Sequence, residues 1–345
     1  MRRIVKYIGR ILLLFVVMLV IWALWNRDLV SYGWMQLKGQ AHIIFAAKPI
    51  DEVFKEPATP DSVKARIRLI QAIREFAIDS LGLKDSPNYT TFFDQQSKPL
   101  LWVLTAGEAY RLNSYEWKFP VVGRVSYKGF FDKERGLFED SILRAKGFDT
   151  DFGEVSAWST LGWFKDPILS GMLKRSDGAL AELIIHEMTH STLYIKSDVN
   201  FNENLASAVG EAGAVQFLNH HYGHDSRQLE EYTFRKEDSE LFTRQMLLAS
   251  KSLDTLYERI SGLDESLKYK FKYDRIGEII RSLDTLKFHS PERFSGMFKT
   301  RLPNNAYFLG FVRYDAQKAT MREELKNGFD DNIARYLEVV RLRNK

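Results

Sequence analysis

The chain has 345 residues, 45% of them hydrophobic, and a formal net charge of +4 in which acidic and basic side chains are interspersed. That length supports one large core or two modest ones, and the scattered charge, with no long basic run beyond the N-terminus, excludes nucleic acid as the expected partner. The absence of cysteine excludes disulfides, thiolate metal ligands, cysteine nucleophiles and lipidation of an N-terminal cysteine.

Arg2, Arg3, Lys6 and Arg10 precede Ile11 to Trp25, an unbroken apolar run. A bilayer needs about 20 such residues, and Val5 to Ile8 with Leu29-Val30 extend the run if Arg10 snorkels. Asn26-Arg27-Asp28 lacks the small-x-small pattern of a cleavage site, so residues 1–28 read as an uncleaved membrane anchor; a cleaved signal peptide and a buried core helix are the rivals. The basic excess before the run puts the N-terminus in the cytoplasm. Residues 29–345 then form a domain on the periplasmic or extracytoplasmic side of the inner (cytoplasmic) membrane.

Thr59-Pro60-Asp61 predicts a helix to about Leu81, with Val63, Ile67, Ile70, Ile73 and Ala77 on one stripe and Gly82 as its stop. Leu100 to Ala106 and Val121 to Tyr127 are β-branched and aromatic and read as strands. Asp132 to Ala145 reads as a helix closed by Gly147, and Val155 to Trp158 as a further strand. That strand runs into Ser159-Thr160-Leu161-Gly162-Trp163-Phe164-Lys165-Asp166-Pro167, a candidate wall for an extended substrate or a core loop.

Leu183-Ile184-Ile185-His186-Glu187-Met188-Thr189-His190 carries the pattern H-E-x-x-H, with no Pro or Gly between Leu180 and Leu193 and an apolar face from Leu180, Leu183, Ile184 and Met188. On a helix, residues i and i+4 lie one above the other, so His186 and His190 present two imidazoles to one point, as zinc ligands do. Glu187 lies about 100° round the helix, where it is better placed to take a proton from a metal-activated water than to ligate. The continuation that defines metzincins is excluded, because Leu193 and Lys196 occupy its Gly and His positions.

A catalytic zinc needs a third protein ligand. Residues 201–211 read as a second helix capped by Asn200 or Asn202, on which Glu203 shares a face with Ala206, Ser207 and Gly210. Small residues there let the two helices approach closely, which makes Glu203 the expected third ligand. Glu211 is a competitor about 80° off that face, and Asp198 in the connecting loop is another. His220, His221 and His224 read as a solvated helix end and not as a second metal site.

From about Arg227 to Ser261 and from Glu265 to Leu286, charged residues alternate with apolar ones at helical spacing across Gly262, predicting a long helical hairpin over about 227–286. A last helical stretch is expected from about Asn304 to Leu342.

His186-Glu187-Met188-Thr189-His190, Phe201-Asn202-Glu203 with Ala206, and the stretch Ser159 to Phe164 with Asp166-Pro167 resemble the bacterial putative aminopeptidases of the gluzincin type. Tyr127-Lys128-Gly129-Phe130-Phe131-Asp132 and Asn304-Asn305-Ala306 followed by Tyr314 extend the likeness over most of the chain. The resemblance implies His186, His190 and Glu203 as ligands of one Zn²⁺, Glu187 as catalyst and a peptide as substrate. The spacer of 12 residues between His190 and Glu203 is shorter than in better-known gluzincins, and the chain has no G-x-M-E-N motif.

The expected fold is α+β and zincin-like: helix-rich, with a small N-terminal sheet and the long C-terminal hairpin. The expected function is a membrane-anchored zinc metallopeptidase, an aminopeptidase by resemblance. A zinc endopeptidase of the cell envelope and a non-catalytic binding protein with a structural metal are the alternatives. Glu182 and Glu211 are the acids considered for the substrate's ammonium. For the oxyanion, Tyr194 is set aside as lying on the motif helix beyond His190, and Tyr314 is the candidate, its segment anchored by Asn304 or Asn305.

Overall fold

The computed structural model describes residues 2–119, 123–155, 165–196, 198–314 and 318–344; of residues 2–6, 19, 313 and 314 it describes the backbone only. Helix α1 (Arg2–Trp25) contains a 19-residue span, Tyr7–Trp25, of mean hydropathy 2.5 that is long and apolar enough to cross a membrane, and none of its described side chains is buried. After Asn26 the chain re-enters a helix, α2 (Arg27–Ala46), which was not expected; Gly33 and Gly39 lie within it, and glycine is a poor helix former. It is held to the body by tertiary contacts. Tyr32 Oη and Gln36 Nε2 donate to the Gly129 carbonyl at 2.9 and 2.7 Å, Ile43 is buried, and a Cβ at Gly39 would overlap the Phe131 ring.

Strand β1 (Lys48–Pro49) and helix α3 (Ile50–Lys55) lead into α4 (Asp61–Asp79), whose stripe at Ile67, Ile70, Ile73 and Ala77 is fully buried. Gly82, at φ +67°, turns the chain out of it, a conformation that costs glycine little. Strand β2 (Thr91–Phe93) follows, then β3 (Leu101–Glu108), β4 (Trp117–Phe119), β5 (Gly123–Val125) and β6 (Tyr127–Phe130). Helix α5 (Lys133–Ala145) is capped by the Asp132 carboxylate, which accepts from Arg135 N, and Gly147 at φ +84° releases the chain into β7 (Phe148–Val155). That strand precedes the one expected at 155–158, of which residues 156–158 lie outside the described residues, as do Ser159 to Phe164 of the proposed substrate wall. Strand β8 (Ile168–Leu169) completes the β-structure.

Among the described residues the strands form three small sheets and not one. Strand β3 lies between β6 and β7, antiparallel to both, with Trp102 opposite Phe130 and Glu154; β2 joins β1 antiparallel and β8 parallel; β4 and β5 pair alone.

Helix α6 (Asp177–Thr192) carries the H-E-x-x-H pattern and α7 (Val199–Tyr222) carries Glu203. They run antiparallel, since Tyr222 Oη at the end of α7 donates to Asp177 at the start of α6 at 2.8 Å. Helices α8 (Arg227–Ile260) and α9 (Glu265–Leu283) are the expected hairpin. The stretch expected as the last helix contains α10 (Asn305–Tyr314), α11 (Lys318–Phe329) and α12 (Ile333–Arg343), and residues 315–317 between the first two lie outside the described residues. Between the last two, Asp330 and Asp331 adopt φ of +50° and +58°, a break that the apolar periodicity on either side conceals. The main core packs α4, α6, α7, α11 and α12 together, a second core lies between α8, α9 and α10, and a third lies between the β6-β3-β7 sheet and α5.

The molecule is therefore helix-rich α+β, and one contact organises its centre. A Cβ at Gly210 of α7 would stand 2.9 Å from the Glu182 carbonyl oxygen and 3.2 Å from His186 Cβ on α6, so these backbones meet at a distance that only glycine permits.

Candidate metal centre

The close crossing brings three donor side chains to one point. His186 Nε2 and His190 Nε2 lie 3.2 Å apart, Glu203 Oε2 is 3.4 Å from the first, and Glu203 Oε1 is 3.5 Å from the second. The two imidazoles come from consecutive turns of α6, and the carboxylate comes from the first turns of α7. All three ligand atoms fit within 4.8 Å of one another. A tetrahedral cation with metal–ligand bonds of about 2.05 Å has ligand–ligand edges of about 3.3 Å. The His–His separation is close to that edge, and each imidazole has one Glu203 carboxylate oxygen at about the same distance.

Electrostatics favour a cation in the same place. Burial pushes the His186 imidazole down, but the Glu203 hydrogen bond and the charges of Glu187, Glu203 and Glu182 outweigh it and raise its pKa. Burial would raise Glu203, yet its contacts with His186 and His190 hold it at about 2. His190 is nearly enclosed, and its Nδ1 has no hydrogen-bond partner among the described residues. Glu187, half-buried on α6, follows His186 by one residue, and its charge acts on both His186 and Tyr89.

The competing residues are engaged elsewhere. Asp198 caps α7 by accepting from Phe201 N at 3.0 Å, in place of the expected Asn200 or Asn202. The Asn202 side chain instead donates to the Ile195 and Asp198 carbonyls and accepts from Ile195 N, holding the loop between the two helices. Glu211 pairs with Lys236 and, at 3.1 Å, with Lys318; Glu182 accepts from Tyr232 Oη at 3.0 Å and from Lys236 at 3.3 Å. Lys236 of α8 thus ties α6 to α7 beneath the metal-ligand cluster, and both acids considered for substrate binding are already paired. His220, His221 and His224 lie exposed at the end of α7.

Two tyrosines lie near the site, of which Tyr89 was not foreseen there. Helix α6 ends at Thr192, so Tyr194 is in the loop and not on the helix, and its ring centroid lies 6.2 Å from that of His190. Tyr89 is wholly buried at φ +60°, and its N–H donates to the Asp166 carbonyl at 2.7 Å. Burial, then the charges of Glu187 and Asp166, push its hydroxyl well above the ordinary range. A left-handed tyrosine leaves no signature in a single sequence. Asn304 and Asn305 do anchor their segment: Asn304 donates to the Thr150 carbonyl and Asn305 to the Glu108 carbonyl at 2.9 and 2.8 Å. The Tyr314 side chain lies outside what is described.

The fold and site define a helix-rich α+β protein with a two-histidine, one-carboxylate cluster able to hold a metal ion. A comparison with protein-family models matches residues 31–345 to the family described as "Putative aminopeptidase", and the chain belongs to that family. No curated protein and no solved structure matches it.

Proposed function

We propose that the protein is a zinc-dependent aminopeptidase of the gluzincin type, anchored in the membrane by α1 with its catalytic domain on the periplasmic or extracytoplasmic side. The observation that carries the reading is the convergence of His186, His190 and Glu203 at tetrahedral-edge distances beside Glu187. Family membership supports peptide as the substrate class, and the Tyr7–Trp25 span supports the anchor. Two neutral imidazoles and one carboxylate suit Zn²⁺, and no fourth His, Asp or Glu joins the group among the described residues, which favours catalysis over a closed structural site.

When bound, the zinc would supply Lewis-acid polarisation of the scissile carbonyl and would lower the pKa of water. His186, His190 and Glu203 hold the ion on two rigid helices. Glu187 accepts the proton of the attacking water and delivers it to the departing amine. Its backbone is fixed by the same helix that presents the histidines, so the base and the ligands keep their register through the reaction.

The test uses the purified full-length chain with one peptide series. One zinc per chain and release of the N-terminal residue are expected, and Glu187→Gln should lower kcat by about 10²- to 10⁴-fold while leaving the metal content intact. Undiminished hydrolysis by the variant would remove Glu187 from the chemistry. Equal cleavage of free and N-acetylated peptides would replace the aminopeptidase reading by an endopeptidase one.

A further inference from the structure

A large cavity lies apart from the metal-ligand cluster. It has a volume of about 1380 Å³ and is walled on one side by α2 and on the other by the β2–β3 loop and the start of α5. None of His186, His190, Glu203 and Glu187 lines it. Pockets for small ligands run to about 1,000 Å³, so this groove is large even for a bulky one.

Its lining is amphipathic. Trp34, Met35, Phe93, Leu100, Trp102 and Phe131 supply an apolar floor, and Trp34 is 67% exposed despite its size. Five cationic side chains line it against three carboxylates. The carboxylates already have partners: Glu56 pairs with Lys48 at 3.2 Å, Asp132 caps α5, and Asp94 accepts from Gln96 N at 2.9 Å. Lys38, Lys98 and Lys133 are exposed and form no ion pair among the described residues.

The position of the groove says what reaches it. Only Asn26 separates the apolar helix α1 from α2, and the α2 residues that line the groove, from Ser31 through Lys38 to Ala46, recur on one face. At 1.5 Å per residue that face begins about 9 Å beyond Trp25. Asn26 departs from helical geometry, at ψ 35°, so that distance is an upper bound, and if α1 spans a bilayer the Ser31 end of the groove lies at the headgroup layer. Arg135 fastens this wall, donating to Ser31 Oγ and the Asp28 carbonyl, both at 2.9 Å.

We infer that the groove between α2 and the body binds one anionic phospholipid of that bilayer, acyl chains against Trp34, Trp102 and Phe131, phosphate among Lys38, Lys98 and Lys133. An apolar floor with unpaired cations at its rim suits an anionic amphiphile, whereas a free phosphate would leave the floor in water. The inference rests on the membrane-anchor reading and is independent of the peptidase reading.

Native mass spectrometry of the full-length chain in detergent, with phosphatidylglycerol or phosphatidylcholine added, tests it. One bound lipid per chain is expected, with phosphatidylglycerol favoured by roughly tenfold or more, and inorganic phosphate should not displace it. The triple variant K38E/K98E/K133E should lose that preference, while reversal of Lys251 and Lys268 on the hairpin should keep it. All these lysines are exposed except the half-buried Lys268, and a melting curve establishes that each variant folds. No stoichiometric lipid, or an unchanged preference in the triple variant, would overturn the inference. Displacement by phosphate alone would reassign the groove to a soluble anion. Resistance of the protein to alkaline extraction from membranes reads the anchor separately, so loss of lipid binding with retained anchoring refutes the groove alone.

Discussion

Gly210→Ala probes how the helix crossing sets the metal-ligand spacing. The new Cβ would stand 2.9 Å from the Glu182 carbonyl oxygen, where ordinary contact begins at 3.4 Å, and 3.2 Å from His186 Cβ. Backbone and Cβ atoms cannot turn aside as a side-chain tip can, so α7 must move from α6 by about half an ångström. Glu203 lies seven residues earlier on the same face and moves with it, opening its 3.4 and 3.5 Å separations from the two imidazoles. Overpacking costs about 1–3 kcal/mol, and alanine's helix propensity returns about 1 kcal/mol, so stability should fall by only about 0–2 kcal/mol. Zinc affinity should fall further, by about 10- to 100-fold, the range seen when a ligand's support is disturbed. Gly277→Ala on α9 is the control: its Cβ would meet only Arg281 Nη1, the end of a flexible side chain, at an ordinary 3.4 Å, so zinc binding should be unchanged. Competition titration against a chromogenic chelator, with thermal melts in parallel, measures both quantities. Wild-type zinc affinity in Gly210→Ala would refute the argument that this contact fixes the ligand geometry.

Glu211 is buried, which would raise its carboxyl, but Lys236 and Lys318 outweigh burial and hold it below its ordinary value of 4.5. Stability from that pairing is in place above the unfolded pKa and drains as the pH falls through the folded one. Glu211→Gln should therefore flatten the decline of melting temperature below about pH 4.5, and an unchanged acid slope would show that the pairing does not contribute. Lys272 is 1% exposed, bound to Asp149 and to the Ala109 carbonyl at 2.8 Å, and so joins the hairpin to the β6-β3-β7 sheet. Asp149→Asn should destabilise by about 3–5 kcal/mol by leaving a buried ammonium without its counterion, and adding Lys272→Met should recover part of the loss. Denaturant titration checks this, and a single variant as stable as wild type would mean that water reaches the ammonium.

Local rules were sufficient for much of the site. The i, i+4 spacing of His186 and His190 and the unbroken apolar face from Leu180 to Met188 place two imidazoles together on any helix, whatever surrounds it. The small residues at Ala206, Ser207 and Gly210 pointed to a close crossing, because the minimum distance between helices depends on side-chain size. The stripe of α4 and the hairpin of α8 and α9 were legible for the same reason: each is a periodic pattern within one element.

Contacts between distant segments were not legible. Helix α2 folds against Gly129 and Phe131, nearly a hundred positions away in the chain. The choice of Asp198 over Asn200 or Asn202 as cap depended on Asn202 being drawn into the 193–198 loop. Lys236 ties Glu182 to Glu211 from a third helix, and Tyr89 reaches the neighbourhood of Glu187 through a left-handed turn held by Asp166. The sequence by itself determined which side chains one helix could present together, since that is set by 3.6 residues per turn. Only the tertiary structure decided which other elements meet that helix, because those pairings depend on the shapes of surfaces that form together only when the chain folds.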